Sequence, residues 1–473
     1  MPSPVNDEYD LIVIGAGSAG LTAARFGARV GATVLLVERD RVGGDCTWTG
    51  CIPSKTLLHA AKVAHLIRGA EMFGISAAEV RVDFPRVMGQ VKAVIDQVYR
   101  FESPGRLEAE GIGLLKGEAR FVDKNTIDVS GRRVKGNRFV IATGADPVLP
   151  PIQGLAETPY LTYETVFDLA ALPTHLLVLG AGPVGIELAQ AFLRLGSRVT
   201  VLEEEDRILP IADPEAVEVL ARGLVAEGMQ IKTGYRMHRL LSSAARVVAS
   251  SAGTNVEGDA LLVAVGRKPR LDRLDLQRIG VEVNGKPARI KVDDHLRTTA
   301  PTIYAAGDVT GSFQFTHYAG FQGFQAARNA LLPGVSKGVQ ATVPWVVFTD
   351  PEVGQVGVTE AEARRRSDRV RVHRWPMARV DRAQTQAATE GFIKIVTEPD
   401  GTVLGATIVA SLAGPMVNEL AVAMAGGIKL SRLASTIHAY PTYGFGIQQL
   451  AAEDALTKAT SGLKGKLLRG LAR

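Results

Sequence analysis

Two stretches of this chain repeat one device, and a chain that carries it twice has few folds open to it. Residues 10–14 read Asp-Leu-Ile-Val-Ile, followed by Gly15-Ala-Gly17-Ser-Ala-Gly20, an apolar-striped helical segment, and Thr-Val-Leu-Leu-Val-Glu38. Residues 176–179 read Leu-Leu-Val-Leu, followed by Gly180-Ala-Gly182-Pro-Val-Gly185, a second helical segment, and Arg-Val-Thr-Val-Leu-Glu203. In both copies the glutamate stands 23 positions after the first glycine. Glycines at this spacing permit a tight turn and close backbone approach to a pyrophosphate resting on the helix N-terminus. The acid closing the second strand accepts hydrogen bonds from a ribose hydroxyl. One Gly-x-Gly-x-x-Gly is weak evidence. Two, each with its strand, helix, strand and acid, predict an α/β protein with two Rossmann-like dinucleotide-binding domains.

The chain holds two cysteines, Cys46 and Cys51, in Gly43-Gly-Asp-Cys-Thr-Trp-Thr-Gly-Cys-Ile-Pro-Ser-Lys55, directly after the first device. Four intervening residues, Gly50 among them, can bring the two Cα atoms within the roughly 4.4–6.8 Å of a disulfide. Pro53 is expected to start a helix. Cys51 then lies near a helix N-terminus, where the dipole favours a thiolate, and Lys55 adds a positive charge one turn on. Three other readings fit the same residues: a structural disulfide, two unreactive buried thiols, or a zinc site completed by His59 and His65. The neighbouring fingerprint favours a redox-active pair. A cofactor bound by the first device should exchange electrons with that pair, which suits FAD, and the second device would then bind the nicotinamide donor. The acidic run Glu203-Glu204-Glu205 would repel a 2′-phosphate while Arg207 would accommodate one, a balance that favours NADH over NADPH.

Composition narrows the class. The formal charge is +5, with 46% hydrophobic residues and 50 glycines in 473. This suits α/β domains that bind polyanionic dinucleotides, and no basic stripe with interleaved aromatics points to nucleic acid. The opening ten residues are neither basic nor apolar, and Leu11 to Ala24 is glycine-dense and ends at Arg25. No signal peptide, no transmembrane segment and a cytoplasmic protein are the expectations. Residues 57–102 carry helical stripes, for example Phe84, Val87, Val91, Val94 and Val98, and residues 112–141 read as short strands turning near Asp123-Lys-Asn125. From about residue 341, strands (Val346 to Phe348, Gly391 to Val396, Val403 to Val409) mix with helices. The tail from Lys458 to Arg473, with Leu463, Leu467, Leu468 and Leu471, is basic and apolar-striped. It reads as a solvated or dimer-packed helix, or as a docking segment for a membrane or partner.

Further motifs sharpen the picture: Ala142-Thr143-Gly144, Gly266-Arg267-Lys-Pro269, Ala306-Gly307-Asp308 and Phe348-Thr-Asp-Pro-Glu352-Val-Gly354. With the two fingerprints and Cys46–Cys51–Lys55, they make the chain resemble the pyridine nucleotide–disulfide oxidoreductases, the family of dihydrolipoamide dehydrogenase, glutathione reductase and mercuric reductase. The resemblance runs from residue 10 to about residue 450. It implies an FAD-binding domain with the redox pair (1–150), an NAD(P)-binding domain (151–270), a central region completing the FAD site (271–340) and a C-terminal α+β dimerisation domain (341–473). Cys51 would be the flavin-proximal thiol and Cys46 the interchange thiol. Lys55 would approach the flavin and pair with Glu187. Asp308 would bind the ribityl chain, and Ala119 with Thr143-Gly144 would touch FAD through the backbone. Gly266 belongs to a strand-ending turn of the same nucleotide-binding set. A homodimer would complete each active site across its interface.

The chain departs from the family pattern at Ile437-His438-Ala-Tyr440-Pro-Thr-Tyr443-Gly-Phe445. Disulfide-reducing relatives place a histidine before this Pro-Thr and a glutamate five residues later, where this chain has Tyr440 and Phe445. Protonating a leaving thiolate suits a group with a pKa near 7, and tyrosine titrates near 10. His438 either substitutes for the missing base or packs. A soft metal ion instead binds two thiolates directly, with a tyrosine hydroxyl assisting. Mercuric reductases resemble this chain in that tyrosine and in Phe315-Thr316-His317. No counterpart of their C-terminal cysteine pair or N-terminal metal-binding domain is expected here. The expected function is a mercuric-reductase-like flavoenzyme whose acceptor is a different metal ion, transiently held at Cys46 and Cys51, a quinone or an oxidised electrophile. The alternatives are a dihydrolipoamide dehydrogenase-like disulfide reductase and a flavin-bearing redox sensor.

Overall fold

The computed structural model describes residues 8–77, 79–243, 246–251 and 253–461. Two compact units emerge. One comprises the chain up to Gly180, Ala191–Leu202 and Arg236–Gln340; the other comprises Ala181–Gln190, Glu203–Tyr235 and the chain from Ala341.

In the first unit five parallel strands lie side by side in the order Ile112–Lys116, Val34–Glu38, Glu8–Ile14, Arg132–Ile141, Ile303–Ala305. Strand side chains alternate between faces, and both faces of Glu8–Ile14 are covered. Leu11 and Val13 pack with the helices Ser18–Arg29 and Thr316–Leu331 through Ala19, Ala23 and Ala326. Ile12 and Ile14 pack on the other side with Phe121, Ile127 and Phe139. This explains why the strand reads as an unbroken apolar run. The hairpin of Ala119–Asp123 and Thr126–Val129 turns at Asp123–Thr126 and feeds the start of Arg132–Ile141. A second parallel set, Arg198–Leu202, His175–Leu179 and Ala260–Val263, belongs to the same unit.

The helices Ser18–Arg29 and Thr316–Leu331 cross at unusually short range. A Cβ placed on Gly323 would lie 2.0 Å from the carbonyl oxygen of Ala19, and one on Gly20 would lie 1.8 Å from that of Gly15. No side chain fits at either position.

The second unit has a five-stranded antiparallel sheet in the order Trp345–Val347, Glu352–Gly357, Val403–Ala410, Phe392–Thr397, Arg371–Pro376. The helices Ala413–Ala425, Leu430–Ser435 and Phe445–Thr460 close over it around Val356, Ile393, Ile408, Val417, Leu420 and Ile447.

Two local expectations need correction. The helix expected to begin at Pro53 begins at Cys51 and runs to Arg68, with Gly50 as its N-cap and Pro53 inside the first turn, where its missing N–H costs nothing. In the helix Phe84–Tyr99 the buried residues are Phe84, Met88, Val91 and Ile95, so Val87, Val94 and Val98 flank the buried face rather than form it. Most of the basic C-terminal tail, from residue 462, lies outside the described residues.

Replacing Gly323 by alanine should force the two helices apart at a backbone contact. We expect a loss of about 1–3 kcal/mol, read as a fall of roughly 2–10 °C in the thermal midpoint. An unchanged midpoint would show that the crossing tolerates a side chain.

Candidate active site

The redox segment is a short helix, Gly44–Trp48, that doubles back at Gly50 into the helix Cys51–Arg68. A Cβ on Gly50 would meet the Asp45 carbonyl oxygen at 2.7 Å and Cys46 Cα at 3.4 Å. Glycine at that point is what lets the two cysteines approach. Both are half-buried free thiols. Thr316, the first residue of the helix Thr316–Leu331, places its hydroxyl 3.1 Å from Cys51 Sγ.

Neither helix carries a side-chain cap, so the sulfurs lie at two helix starts whose positive dipole ends no side chain neutralises. The Cys46 thiol is nevertheless pushed well above its ordinary value. Its hydrogen bond with Cys51 is the main cause, followed by burial, the charge of Cys51 and the Glu102 carboxylate, while the Thr316 hydroxyl pulls the other way. Cys46 is thereby biased toward its protonated form in the dithiol.

The neighbours of Cys46 are each fastened. Asp45 Oδ2 accepts from Arg267 Nη2 at 2.7 Å, Thr47 Oγ1 donates to Glu102 Oε2 at 2.8 Å, and Trp48 Nε1 donates to the Val42 carbonyl at 2.7 Å. Arg267 Nη2 also lies 2.8 Å from Asp308 Oδ2, and the guanidinium stands over the Tyr163 ring. Burial opposes the Arg267 charge, but Asp308, Tyr163 and Asp45 outweigh it. Burial pushes the Asp308 carboxyl upward more than Arg267 draws it down.

The first fingerprint is a backbone cradle. Gly15 has φ +103° and no room for a Cβ, which would lie 2.3 Å from the Ala142 carbonyl oxygen, whereas the nearest atom to a Cβ on Gly17 is 3.9 Å away. Glu38 accepts from Ala16 N at 2.7 Å and from Asp40 N at 2.8 Å. Thr143 Oγ1 donates to the Arg270 carbonyl, and Gly144, with φ +75°, accepts from Arg270 N. Ala119 is buried at the start of its strand. Gly266, with φ +130°, accepts from Val148 N.

The second fingerprint repeats the pattern. Gly180 has φ +100° and a Cβ there would lie 2.6 Å from the Ala264 carbonyl oxygen. Glu203 accepts from Ala181 N at 2.6 Å and from Glu205 N at 2.9 Å. Gly182 is open around its missing Cβ, and Gly185 is buried within the helix Pro183–Leu195. Glu187 is buried and accepts from Phe348 N at 2.8 Å. Lys55 belongs to the first unit and Glu187 to the second.

In the second unit, His438 Nε2 lies 2.7 Å from Glu419 Oε1 and Nδ1 lies 2.8 Å from the Thr436 carbonyl oxygen. Tyr440, 64% exposed, donates to Asp381 Oδ2 at 2.9 Å and packs edge-on against Phe445 at 5.3 Å. Among the described residues no group of three or more His, Cys, Asp and Glu side chains is placed to hold a metal ion.

The sequence matches the pyridine nucleotide-disulphide oxidoreductases over residues 9–323 and that family's dimerisation domain over residues 343–451. The chain belongs to this family. A mercuric reductase of Lysinibacillus sphaericus is 36% identical over 451 residues, which span 94% of this chain and 82% of that protein. A dihydrolipoyl dehydrogenase of Thermus scotoductus is 37% identical over 456 residues, 94% of this chain and 96% of that protein. The copper(II) complex of RclA, an HOCl-induced flavoprotein disulfide reductase from Escherichia coli, superposes with a TM-score of 0.86 at 30% identity, covering 95% of this chain and all of that one. The protein is thus an FAD-dependent oxidoreductase that uses a pyridine nucleotide, and the redox-sensor alternative gives way to an enzyme.

The residues fit a bound flavin nucleotide. Gly15, Gly17 and Gly20 leave backbone exposed at a helix start, and two buried donors beside the Gly307–Asp308 turn lack partners: Arg267 Nε, and Gln322 Nε2, whose Oε1 accepts from Gly307 N. Sequence reasoning gave no role to Arg267, Asp45 or Glu102. The one local signal was an acid directly before Cys46; its partner stands 222 residues away.

Thr316→Val keeps the shape and removes the hydroxyl that favours a Cys46 thiolate. Losing a hydrogen bond to a charged group, about 1.5 kcal/mol, should slow Cys46 alkylation of the reduced protein by roughly tenfold at mildly alkaline pH. Residue-resolved mass spectrometry after iodoacetamide treatment reads the rate, and an unchanged rate would remove Thr316 from the sulfur site.

Proposed function

We propose that this flavoprotein carries two electrons from NADH to the Cys46–Cys51 disulfide and delivers them to a soft metal ion, in the manner of the mercuric reductases it resembles. Bound FAD supplies the hydride-accepting and electron-relaying chemistry. Residues 1–150 and 271–340 hold it, through Gly15, Gly17, Gly20, Glu38, Ala119, Thr143, Gly144 and Asp308. Residues 151–270 take the nicotinamide through Gly180, Gly182, Gly185, Glu203 and the Gly266 turn, and residues 341–473 pair the chains as a homodimer. Cys51 carries the thiolate at the helix start with Lys55 one turn on, and Cys46 meets the acceptor. The two sulfurs bind the cation as it is reduced, and the Tyr440 hydroxyl assists its capture and release. The balance is NADH + Hg²⁺ → NAD⁺ + H⁺ + Hg⁰ for mercury.

The observation that carries the choice of acceptor is the state of Tyr440. Its hydrogen bond to Asp381 and the charge of that carboxylate hold the phenol above its ordinary value. It is neutral at physiological pH and takes no proton. Phe445 supplies a ring where disulfide-reducing relatives have an acid. Such a pair suits cation capture better than protonation of a leaving thiolate. NADH is favoured over NADPH because Glu203 is a buried, doubly hydrogen-bonded carboxylate and Arg207 Nη2 is engaged by the Pro210 carbonyl. No helix among the described residues is long and apolar enough to cross a membrane, and the reducing cytoplasm would maintain the dithiol. Dihydrolipoamide dehydrogenase chemistry is the second reading, supported by the 37% identity to one such enzyme.

NADH consumption measured with Hg²⁺ in excess thiol, lipoamide, oxidised glutathione and quinones decides between them. Hg²⁺ is expected to support turnover and lipoamide to be poor. The double substitution Tyr440→His with Phe445→Glu should raise lipoamide turnover by roughly 100-fold. Brisk lipoamide reduction by the unaltered protein would reverse the order of the two readings.

A further inference from the structure

The stretch from Thr436 to Gly444 carries the exposed Tyr440, and the His438 side chain is held at both ring nitrogens. The ring has a carbonyl oxygen 2.8 Å from Nδ1 and a carboxylate oxygen 2.7 Å from Nε2. A carbonyl and a carboxylate only accept. Both contacts are hydrogen bonds at once only when the ring carries two protons, as imidazolium. While both bonds are made, neither ring nitrogen has a lone pair left to act as a base.

The bonds tie the turn to two helices that also share a hydrophobic core. Glu419 belongs to the helix Ala413–Ala425, and the His438 N–H donates to Gln448 Oε1 of the helix Phe445–Thr460 at 3.2 Å. Glu419 also packs against the far end of the segment, since a Cβ on Gly444 would lie 3.4 Å from its Oε2. His438 and Glu419 thus clasp both ends of the turn, with Tyr440 between them, its hydroxyl on Asp381 of the helix Asp381–Thr385.

We infer that the His438–Glu419 ion pair is a pH-dependent tie that positions Tyr440 for the acceptor step. The inference rests on the role given to Tyr440 above. Glu419 is the charged side chain against the ring; Gln448 and the Thr436 carbonyl are neutral. Burial works against the imidazolium, but the hydrogen bonds to Glu419 and Thr436 and the charge of Glu419 outweigh it, so His438 titrates above its ordinary value of about 6.5. The tie is therefore complete below that ordinary value and is lost as pH rises through the raised one. His438 acts through Tyr440 and is a positioning residue.

The test uses the full-length holoenzyme in stopped flow. NADH first reduces the flavin; the reduced enzyme is then mixed with Hg²⁺ in excess cysteine, from about pH 6 to about pH 9. The native acceptor step should fall on the alkaline side while reduction by NADH does not. Glu419→Gln keeps an acceptor oxygen but removes the charge, so the fall should move to lower pH with the plateau retained. His438→Ala should abolish the fall and slow the acceptor step by about 10- to 100-fold at neutral pH, as expected for a misplaced group, with NADH reduction unaltered. An alkaline limb that stays in place in Glu419→Gln, or a His438→Ala protein as fast as the native one, overturns the tie alone. Tyr440→Phe without effect overturns both the tie and the role of Tyr440. Failure of NADH to reduce the native flavin overturns the electron route itself, and the tie with it.

Discussion

The helix Thr316–Leu331 can reach the nucleotide turn only because Gly323 lets its backbone come against Ala19. From that one crossing, three parts of the site take their places. Thr316 brings its hydroxyl to Cys51 at the head of the helix, and Gln322, one residue before the crossing, holds Gly307 N. Gly20, on the opposing helix, folds that helix onto the Gly15 turn. A helix displaced by the thickness of a methyl group would lose its register with the sulfurs and with the Gly307–Asp308 turn together.

Charge is arranged around the sulfurs with similar economy. Arg267 is shared by Asp45, next to Cys46, and by Asp308. One half-buried guanidinium thereby balances two carboxylates and links the redox helix to the turn proposed to grip the ribityl chain. Losing either carboxylate would leave this half-buried charge with one partner fewer, a greater cost than losing a fully exposed pair. The second unit has its own shared cation, Lys394, whose ammonium lies against Asp213, Glu215 and Glu360. There, too, Tyr440 and Phe445 form an aromatic contact, and an ion pair lies nearby, at His438 and Glu419.

What could be read from the sequence was local. The glycine turns, the strands around them and the cysteine spacing depend on backbone geometry within a few residues, and each formed as the residues dictate. The strands expected at 391–396 and 403–409 appear at Phe392–Thr397 and Val403–Ala410. Errors arose where burial is decided by neighbours far along the chain. The helix Phe84–Tyr99 turns Met88 and Ile95 inward rather than Val94 and Val98, because the helix it meets decides which face is covered. The Asp45–Arg267 and His438–Glu419 contacts were invisible for the same reason. No periodicity marks a carboxylate for a cation that folding alone brings beside it.

Glu38 and Glu203 share a second property. Each carboxylate is bonded through both oxygens to its own backbone, to the N–H after the first glycine and to the N–H two residues beyond itself. The acid that a sugar would recognise is also a strut of the turn that recognises it. Engineering this scaffold toward a phosphorylated nicotinamide therefore cannot start by exchanging Glu203, because the exchange would slacken the turn before any ligand arrived. A workable redesign keeps that strut and alters the rim beyond it, from Glu204 to Arg207.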